Sequence, residues 1–139
     1  MNHYDYNNED VRHHLSLLQD SITRMAACSS NCKTWCITLV CALLALVIAN
    51  PDYGCHIWIA ALPTSLFYLL DVYYLSLEKR FRSKEMEFVR KTQAGDNLAS
   101  LLYDLTPDAN SWRTIIKSAL SPATWPIYAL ILACLFLIH

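Results

Sequence analysis

Glycine and charged residues are both scarce in this sequence of 139 residues. Two glycines and five prolines are too few for the many turns of a β-sandwich or for a glycine-rich nucleotide-binding loop. Charged residues make up 17% of the chain, against about 25% in an average soluble domain. The formal net charge is -1, which excludes nucleic-acid binding through a large basic surface.

Hydrophobic residues are abundant, at 55% of the chain, and this excludes intrinsic disorder. They concentrate in three runs without Lys, Arg, Asp or Glu, at residues 34–51, 53–70 and 118–138. A spanning helix needs ~20 apolar residues, and so small a chain cannot bury three helices that are apolar on all sides. The sequence therefore predicts an all-α membrane protein, with a transmembrane helical hairpin over 34–77 and a third membrane helix within 118–139. The firmly apolar part of the third run is short, so a core helix remains its alternative.

The basic residues all lie in the two segments that a membrane hairpin would place on the same side of the bilayer. Arg12, Arg24 and Lys33 precede the first run, and the other eight fall between 79 and 117. Because Lys and Arg flank the cytoplasmic ends of spans, we expect segments 1–33 and 78–117 to be cytoplasmic helical extensions. The turn at 51–55 then faces outward. The first run begins too far along the chain for a signal peptide, so the expected protein is multi-pass with a cytoplasmic N-terminus.

The cytoplasmic helices offer a contact surface. No glycine or proline occurs from residue 8 to residue 50, which predicts one continuous helix from the cytoplasm into the membrane. Spacings of four and three residues predict a coiled-coil type of seam on it, formed by Val11, Leu15, Leu18, Ile22 and Met25. This seam either joins the subunits of a homo-oligomer or packs on the second cytoplasmic helix of the same chain.

That second helix is expected to leave the membrane unbroken and to end at Gly95. Two pairs of opposite charge at i,i+4 spacing support it, namely Glu78–Arg82 and Glu87–Lys91. Two shorter helices are expected beyond it. Asp96 is the predicted N-cap of the first, and Thr106-Pro107 is the predicted start of the second, whose apolar stripe contains Trp112 and Ile116.

Asp71 is the most informative polar residue, since it follows 18 uncharged residues. An ionisable group at such a position is costly and usually faces a bundle interior or water. Asp71 is therefore either a pore-lining or gating acid, or a headgroup-level residue that pairs with Arg24 or Lys33. Pro63 is expected to kink the second span. Asn50 and Thr64 are the other pore candidates, although Thr hydroxyls often bond only to their own helix.

Neither the cysteines nor the histidines form a recognisable site. Cys28, Cys32 and Cys36 recur every four residues on one predicted helix, unlike the paired, loop-separated ligands of a zinc site. Cys55 faces outward in the predicted topology and could crosslink two subunits. The motifs of common hydrolases, metalloproteases and nucleotide-binding enzymes are missing from the sequence. We therefore expect no enzyme, no metal and no cofactor.

A cytoplasmic helix that leads into a short two-span hairpin, followed by a charged helix, resembles the SLATT group of bacterial membrane effectors. The resemblance lies in LQDSITRMAACSSNCKTWCITLV and FYLLDVYYLSLEKRFRSKEMEFVR and covers roughly residues 8–95. It implies an oligomeric inner-membrane effector of anti-phage defence by abortive infection. Such an effector forms a pore or disrupts the membrane when triggered by a nucleotide second messenger or a sensor protein. The alternative is an accessory membrane subunit that scaffolds a cytoplasmic partner.

Overall fold

The structure is a computed structural model, and it describes residues 9–49, 59–94, 104, 106 and 112–138. The regular elements within these residues are four α-helices: α1 (Glu9–Ala49), α2 (Ala61–Ala94), α3 (Trp112–Ala119) and α4 (Trp125–Ile138). The described part of the chain contains no strand. The prediction of an all-helical protein is therefore confirmed.

The longest element is α1, which is continuous over 41 residues and about 62 Å long at 1.5 Å per residue. It is unbroken because its sequence contains no glycine or proline, the two residues that most disfavour a helix interior. Glu9 and Asp10 lie in its first turn, where negative charge interacts favourably with the helix dipole. The predicted continuous helix is confirmed.

The start of α2 differs from the prediction. The expected kink at Pro63 inside a span is wrong, because α2 begins at Ala61 after a short 3₁₀ turn at residues 59–60. Pro63 therefore lies in the first turn, where its missing N–H leaves no hydrogen bond unmade. An α-helix extending further back would force its ring against the carbonyl of Ile59. Downstream, α2 continues without interruption to Ala94, as predicted.

The helices α1 and α2 pack side by side in antiparallel orientation. As contacts advance along α1 they move backwards along α2, in the pairs His14–Phe88, Gln19–Glu85 and Ser29–Asp71. Phe81 forms one buried cluster with Leu18 and Ile22. The two helices therefore run together over most of their lengths.

The predicted seam is used within the chain. Val11, Leu18 and Ile22 are buried, and Leu15 and Met25 are half-buried. Since Leu18 and Ile22 pack on Phe81 of α2, the structure shows the intramolecular alternative of the two predicted roles. Oligomer formation through these same residues would require α1 to separate from α2.

Truncating this seam is expected to be costly. Leu18 is fully buried, so Leu18→Ala removes buried methyl groups and leaves a cavity, which costs about 2–5 kcal/mol. Met86 on α2 is largely exposed, so Met86→Ala serves as the matched control and should change stability by less than about 0.5 kcal/mol. Equilibrium unfolding in mixed micelles, followed by circular dichroism, measures both. Equal effects of the two substitutions would contradict the observed packing.

The two predicted charge pairs on α2 are both present. Arg82 Nη2 lies 2.8 Å from Glu78 Oε1, and Lys91 Nζ lies 2.7 Å from Glu87 Oε1. The Lys91 ammonium lowers the pKa of the Glu87 carboxyl, by hydrogen bonding and by charge. Both pairs reach solvent, so they favour the local helix without contributing much to global stability.

The last helix, α4, has 14 residues and is about 21 Å long. Pro126 lies in its first turn, where its missing N–H leaves no hydrogen bond unmade. The Tyr128 hydroxyl donates to the Phe67 carbonyl at 3.4 Å, and the Tyr128 ring lies edge-on to Tyr68. Tyr128 and Leu135 of α4 form a buried core with Cys36 and Val40 of α1 and with Ala60, which directly precedes α2.

Several predictions fall outside the described residues. They concern Asn50, the turn at 51–55 with Cys55, the first part of the second run at 53–58, the end at Gly95 and the helix capped by Asp96. Thr106 is described and is not helical, and the stripe expected after Pro107 is described from Trp112 onward as α3.

Candidate functional site

The helices divide into two parts of different character. We call residues 34–49 of α1, 61–70 of α2 and the whole of α4 the apolar half, and residues 9–33 of α1 and 72–94 of α2 the stem. Every helix of the apolar half exposes large apolar side chains, including Ile37, Leu39, Leu46 and Ile48 on α1, Leu62, Leu66 and Leu69 on α2, and Leu130, Leu132, Phe136 and Leu137 on α4. Soluble monomers rarely expose so continuous an apolar surface.

Among the described helices, α1 is the one that is long and apolar enough to cross a membrane. Only 17% of its most apolar 18-residue window is buried in the structure. A core helix of a soluble protein would instead be covered by the rest of its chain. By length and composition, α4 is a shorter apolar helix.

A buried ionic cluster lies where the apolar half meets the stem. Asp71 has 0% exposure, and Lys33 Nζ lies 2.8 Å from its Oδ1 and 2.7 Å from its Oδ2. The Ser29 hydroxyl donates to Asp71 Oδ1 at 2.5 Å and accepts from Lys33 Nζ at 3.0 Å. We call these three residues the ionic lock, since they join α1 to α2.

The two sides of the ionic lock differ in their access to water. The Lys33 side chain keeps 19% of its surface exposed, whereas the Asp71 side chain keeps none. Asp71 Oδ2 forms no hydrogen bond of good geometry and is held by its proximity to the ammonium. Because a buried charge is tolerated only when it is paired, the carboxylate depends on Lys33 more than Lys33 depends on the carboxylate.

The structure shows Asp71 paired with Lys33, one of its two predicted partners. Arg24 is exposed on the stem and is not part of the lock. Ser29 was not singled out from the sequence. Its signal is its spacing, because it lies seven residues after the seam residue Ile22 and four before Lys33, on the face of α1 that packs on α2.

The remaining pore candidates do not gather around Asp71. The Thr64 side chain is buried, and its hydroxyl donates to the Ala60 carbonyl at 2.7 Å, the local bond that such residues often make. Pro63 lies beside it in the first turn of α2. Both are about two turns from Asp71 along the helix, and Asn50 is not described.

Exposed aromatic side chains flank the ionic lock in sequence. Trp35 follows Lys33 by two residues and Tyr73 follows Asp71 by two residues, and both are more than half exposed. On α4, Trp125 lies one turn before Tyr128, which is close enough to Asp71 to interact with it electrostatically. Trp and Tyr prefer the boundary between hydrocarbon and water, so this level has the chemistry of a membrane interface.

A second polar cluster forms around the buried Lys84 of the stem. Lys84 is 8% exposed, and its Nζ donates to Asp104 Oδ2 at 2.9 Å and to the Thr106 carbonyl at 2.6 Å. Thr106 donates from both its N–H and its hydroxyl to Asp104 Oδ1. The Thr106 and Lys84 hydrogen bonds lower the pKa of the Asp104 carboxyl well below its usual range. These bonds hold Asp104 and Thr106 against α2.

The buried imidazole of His14 lies next to this cluster and stacks at an angle on Phe88, with ring centroids 4.4 Å apart. Burial lowers the pKa of His14 below its ordinary value of 6.5, and the Lys84 ammonium lowers it further, while the Asp104 carboxylate opposes them. The folded protein therefore binds this proton less readily than the unfolded chain. Linkage then makes the His14 contribution to stability complete above pH 6.5, and it is lost as the pH falls through the lowered pKa.

Acidification is accordingly expected to destabilise the stem through His14. Thermal unfolding in detergent, measured from neutral pH to well below 6.5, should show a smaller loss of stability for His14→Leu than for the natural protein. His13 is the exposed neighbour, so His13→Leu is the matched control and should retain the natural pH dependence. If His14→Leu lost stability on acidification as steeply as this control, the assignment to His14 would be wrong.

Within the described residues, no group of three or more His, Cys, Asp or Glu side chains has the arrangement of a metal site. Cys32 and Cys36 are buried on the face of α1 that packs on its neighbours, and Cys28 is half-buried. Cys41 and Cys134 are exposed on the apolar half. Buried cysteine behaves as a small apolar residue, which suits the close packing of these helices.

Comparisons with protein-family models, with curated proteins and with solved structures find no match to this chain.

Proposed function

We propose that this protein is a multi-pass effector of the bacterial inner membrane that self-associates and permeabilises the bilayer in anti-phage defence. The observation that supports the proposal most is the exposed apolar surface of α1, α2 and α4, bounded by the ionic lock. Hydrocarbon is the solvent that stabilises such a surface. The proposal includes no catalytic step and no cofactor.

The proposed orientation follows from the cations. All eleven Lys and Arg residues lie at or on the stem side of the ionic lock in sequence, and none occurs between Thr34 and Glu78 or after Lys117. By the positive-inside rule, the stem and the N-terminus are cytoplasmic. The turn at 51–55 then lies on the outer side, which makes α1 and α2 a transmembrane hairpin.

Self-association is supported by the short lengths of the apolar helices. The apolar window of α1 has 18 residues, or about 27 Å, and α4 is about 21 Å long, whereas the hydrocarbon core is ~30 Å thick. Short spans are accommodated by local thinning of the bilayer or by oligomerisation. A pore also requires several copies, since three packed helices enclose no channel.

In this proposal the ionic lock holds the closed arrangement. As long as Asp71 is paired with Lys33 inside one chain, its carboxylate is fully buried and faces no lumen. Separation of α1 from α2 at this level would turn Asp71 toward water inside an assembly. A sensor protein that responds to a nucleotide second messenger could drive this separation by binding the stem.

The same burial of Asp71 favours a second candidate function. A carboxylate that is fully enclosed by Lys33 and Ser29 is also what a static membrane anchor would contain. In that case the protein is an accessory subunit, and its stem scaffolds a cytoplasmic partner without any leak.

Controlled expression in bacteria separates the two functions. The effector is expected to collapse the membrane potential, reported by a potential-sensitive dye, when it is overproduced or triggered. Blue-native electrophoresis of the protein in mild detergent should then show an oligomer. An intact potential together with a monomer in every detergent and in lipid would contradict the effector and leave the anchor.

A further inference from the structure

The short helix α3 presents an apolar stripe to its surroundings. Trp112 and Ile116 lie one turn apart and Leu120 follows by a further four residues, and they are 77%, 54% and 70% exposed. Ser118, which points the other way, is fully buried. The Tyr68 hydroxyl on α2 donates to the Ala119 carbonyl at 3.2 Å. One side of α3 is thus fixed to the protein, and the stripe faces outward.

Cations run along one edge of this stripe. Arg113 and Lys117 are exposed and each directly follows a stripe residue, so they lie beside the stripe on the helix surface. Lys79 of α2 joins them, since its Nζ donates to the Lys117 carbonyl at 3.3 Å. Within the part of the chain that the structure describes, none of the three forms a salt bridge.

The corner between α3 and α4 is tightly bonded, which fixes the position of the stripe. Thr124 is fully buried, and its hydroxyl lies 2.7 Å from the Ser118 carbonyl and 3.0 Å from the Ser121 carbonyl. The Thr124 N–H donates to the Ser121 carbonyl at 2.9 Å. Leu120 before this corner and Trp125 after it are both exposed, so the stripe continues into the apolar surface of α4.

We propose that α3 lies in the plane of the cytoplasmic membrane surface and binds anionic phospholipid, its stripe among the acyl chains and Arg113, Lys117 and Lys79 on the headgroup phosphates. An apolar face with cations beside it is the arrangement of interfacial helices, and anionic lipids are attracted to basic residues at that surface. This inference rests on the proposed membrane insertion of α1 and α4, whose apolar surface the stripe continues. A second copy of α3 is a poorer occupant, because it would place like charges against one another.

The test uses the full chain in nanodiscs with a single tryptophan left in place. Two proteins are made, one retaining Trp112 and the other Trp35 of α1, with the remaining tryptophans changed to Phe. Each is reconstituted in phosphatidylcholine alone or in a mixture of phosphatidylcholine and phosphatidylglycerol. One of the lipids present has brominated acyl chains, and its quenching of the tryptophan fluorescence is measured. Trp35 should be quenched in both lipid mixtures, and Trp112 should be quenched more strongly when the brominated lipid is phosphatidylglycerol.

Charge variants then test the lipid selectivity. Arg113→Gln and Lys117→Gln are each expected to reduce the preference of the Trp112 site for phosphatidylglycerol roughly fivefold, the effect of about one charge at the surface. Arg24→Gln and Arg90→Gln remove exposed cations from the stem and are the matched controls, which should leave the preference unchanged.

Each other outcome contradicts a defined part of the inference. Quenching of Trp35 without quenching of Trp112 would overturn the membrane position of α3 and leave the proposed insertion of α1 intact. Quenching of Trp112 without any preference for phosphatidylglycerol would overturn the anionic site. An absence of quenching at both positions would overturn the proposed function as well.

Discussion

Lys33→Met is expected to destabilise the folded protein by about 3–5 kcal/mol, the cost of leaving a buried charge without its partner. Asp71 is then fully enclosed without its ammonium partner, although the Ser29 hydroxyl still donates to it. Asp71→Asn should cost less, about 1–3 kcal/mol, since the amide oxygen still accepts from Ser29 and the partly exposed Lys33 ammonium can reach water. The asymmetry follows from the different access of the two groups to solvent.

With Lys33→Met and Asp71→Leu as the single variants, the double variant Lys33→Met/Asp71→Leu completes a double-mutant cycle. It removes both charges and replaces them with apolar side chains of similar size, which is often neutral for a buried pair. We expect it to be more stable than Lys33→Met alone, and the coupling is measured from equilibrium unfolding of all variants in mixed micelles. Additive effects of the single substitutions would contradict the ionic lock as an interacting unit.

The second large effect concerns the membrane itself. If the ionic lock holds the closed arrangement, Asp71→Leu should make the protein leak without a trigger. A loss of about 3 kcal/mol from the closed state shifts its equilibrium with an open state roughly a hundredfold. Loss of membrane potential at equal expression levels, and dye release from proteoliposomes, both measure this.

Misfolding could also produce a leak, so the comparison needs a protein that is equally destabilised elsewhere. Leu18→Ala provides it, since its cavity lies in the stem and its expected cost is similar. This control should keep the natural permeability, and Lys33→Met/Asp71→Leu should lie nearer to the natural protein than Asp71→Leu does. Folded Asp71→Leu protein that leaks no more than the natural chain would contradict a role of the lock in gating.

The helices that were predicted correctly are those whose signals are local. The absence of glycine and proline from residue 9 to residue 49 was enough to predict α1, and the charge pairs at 78–82 and 87–91 supported the prediction that α2 continues through this segment. The start of α2 was missed because a proline inside an apolar run has two readings, a kink or a first turn. The choice between them depends on whether the residues before Pro63 are themselves part of the α-helix.

The candidate site was predictable only in part, because it depends on which helix faces meet. Lys33 was one of two cations named as partners of Asp71, and the antiparallel register selected it over Arg24. Lys84 gave no signal of its own, since a lysine on a helix is usually solvated, and the signal of Ser29 was only its spacing from Ile22 and Lys33. The contact of Lys84 with Asp104 and Thr106 joins segments twenty residues apart, and helical periodicity carries no information on such a contact.

In the proposed function, hydrocarbon surrounds the exposed residues of the apolar half. Site-directed spin labelling of α1 in lipid nanodiscs tests it directly, with labels at Ile37, Leu46 and Ile48 compared with labels at Arg12 and Thr23 of the stem. Membrane insertion predicts high accessibility to oxygen and low accessibility to a water-soluble nickel chelate at the first three positions, and the reverse at the other two. Equal access of the nickel chelate to both sets would show that water surrounds both halves and would contradict membrane insertion.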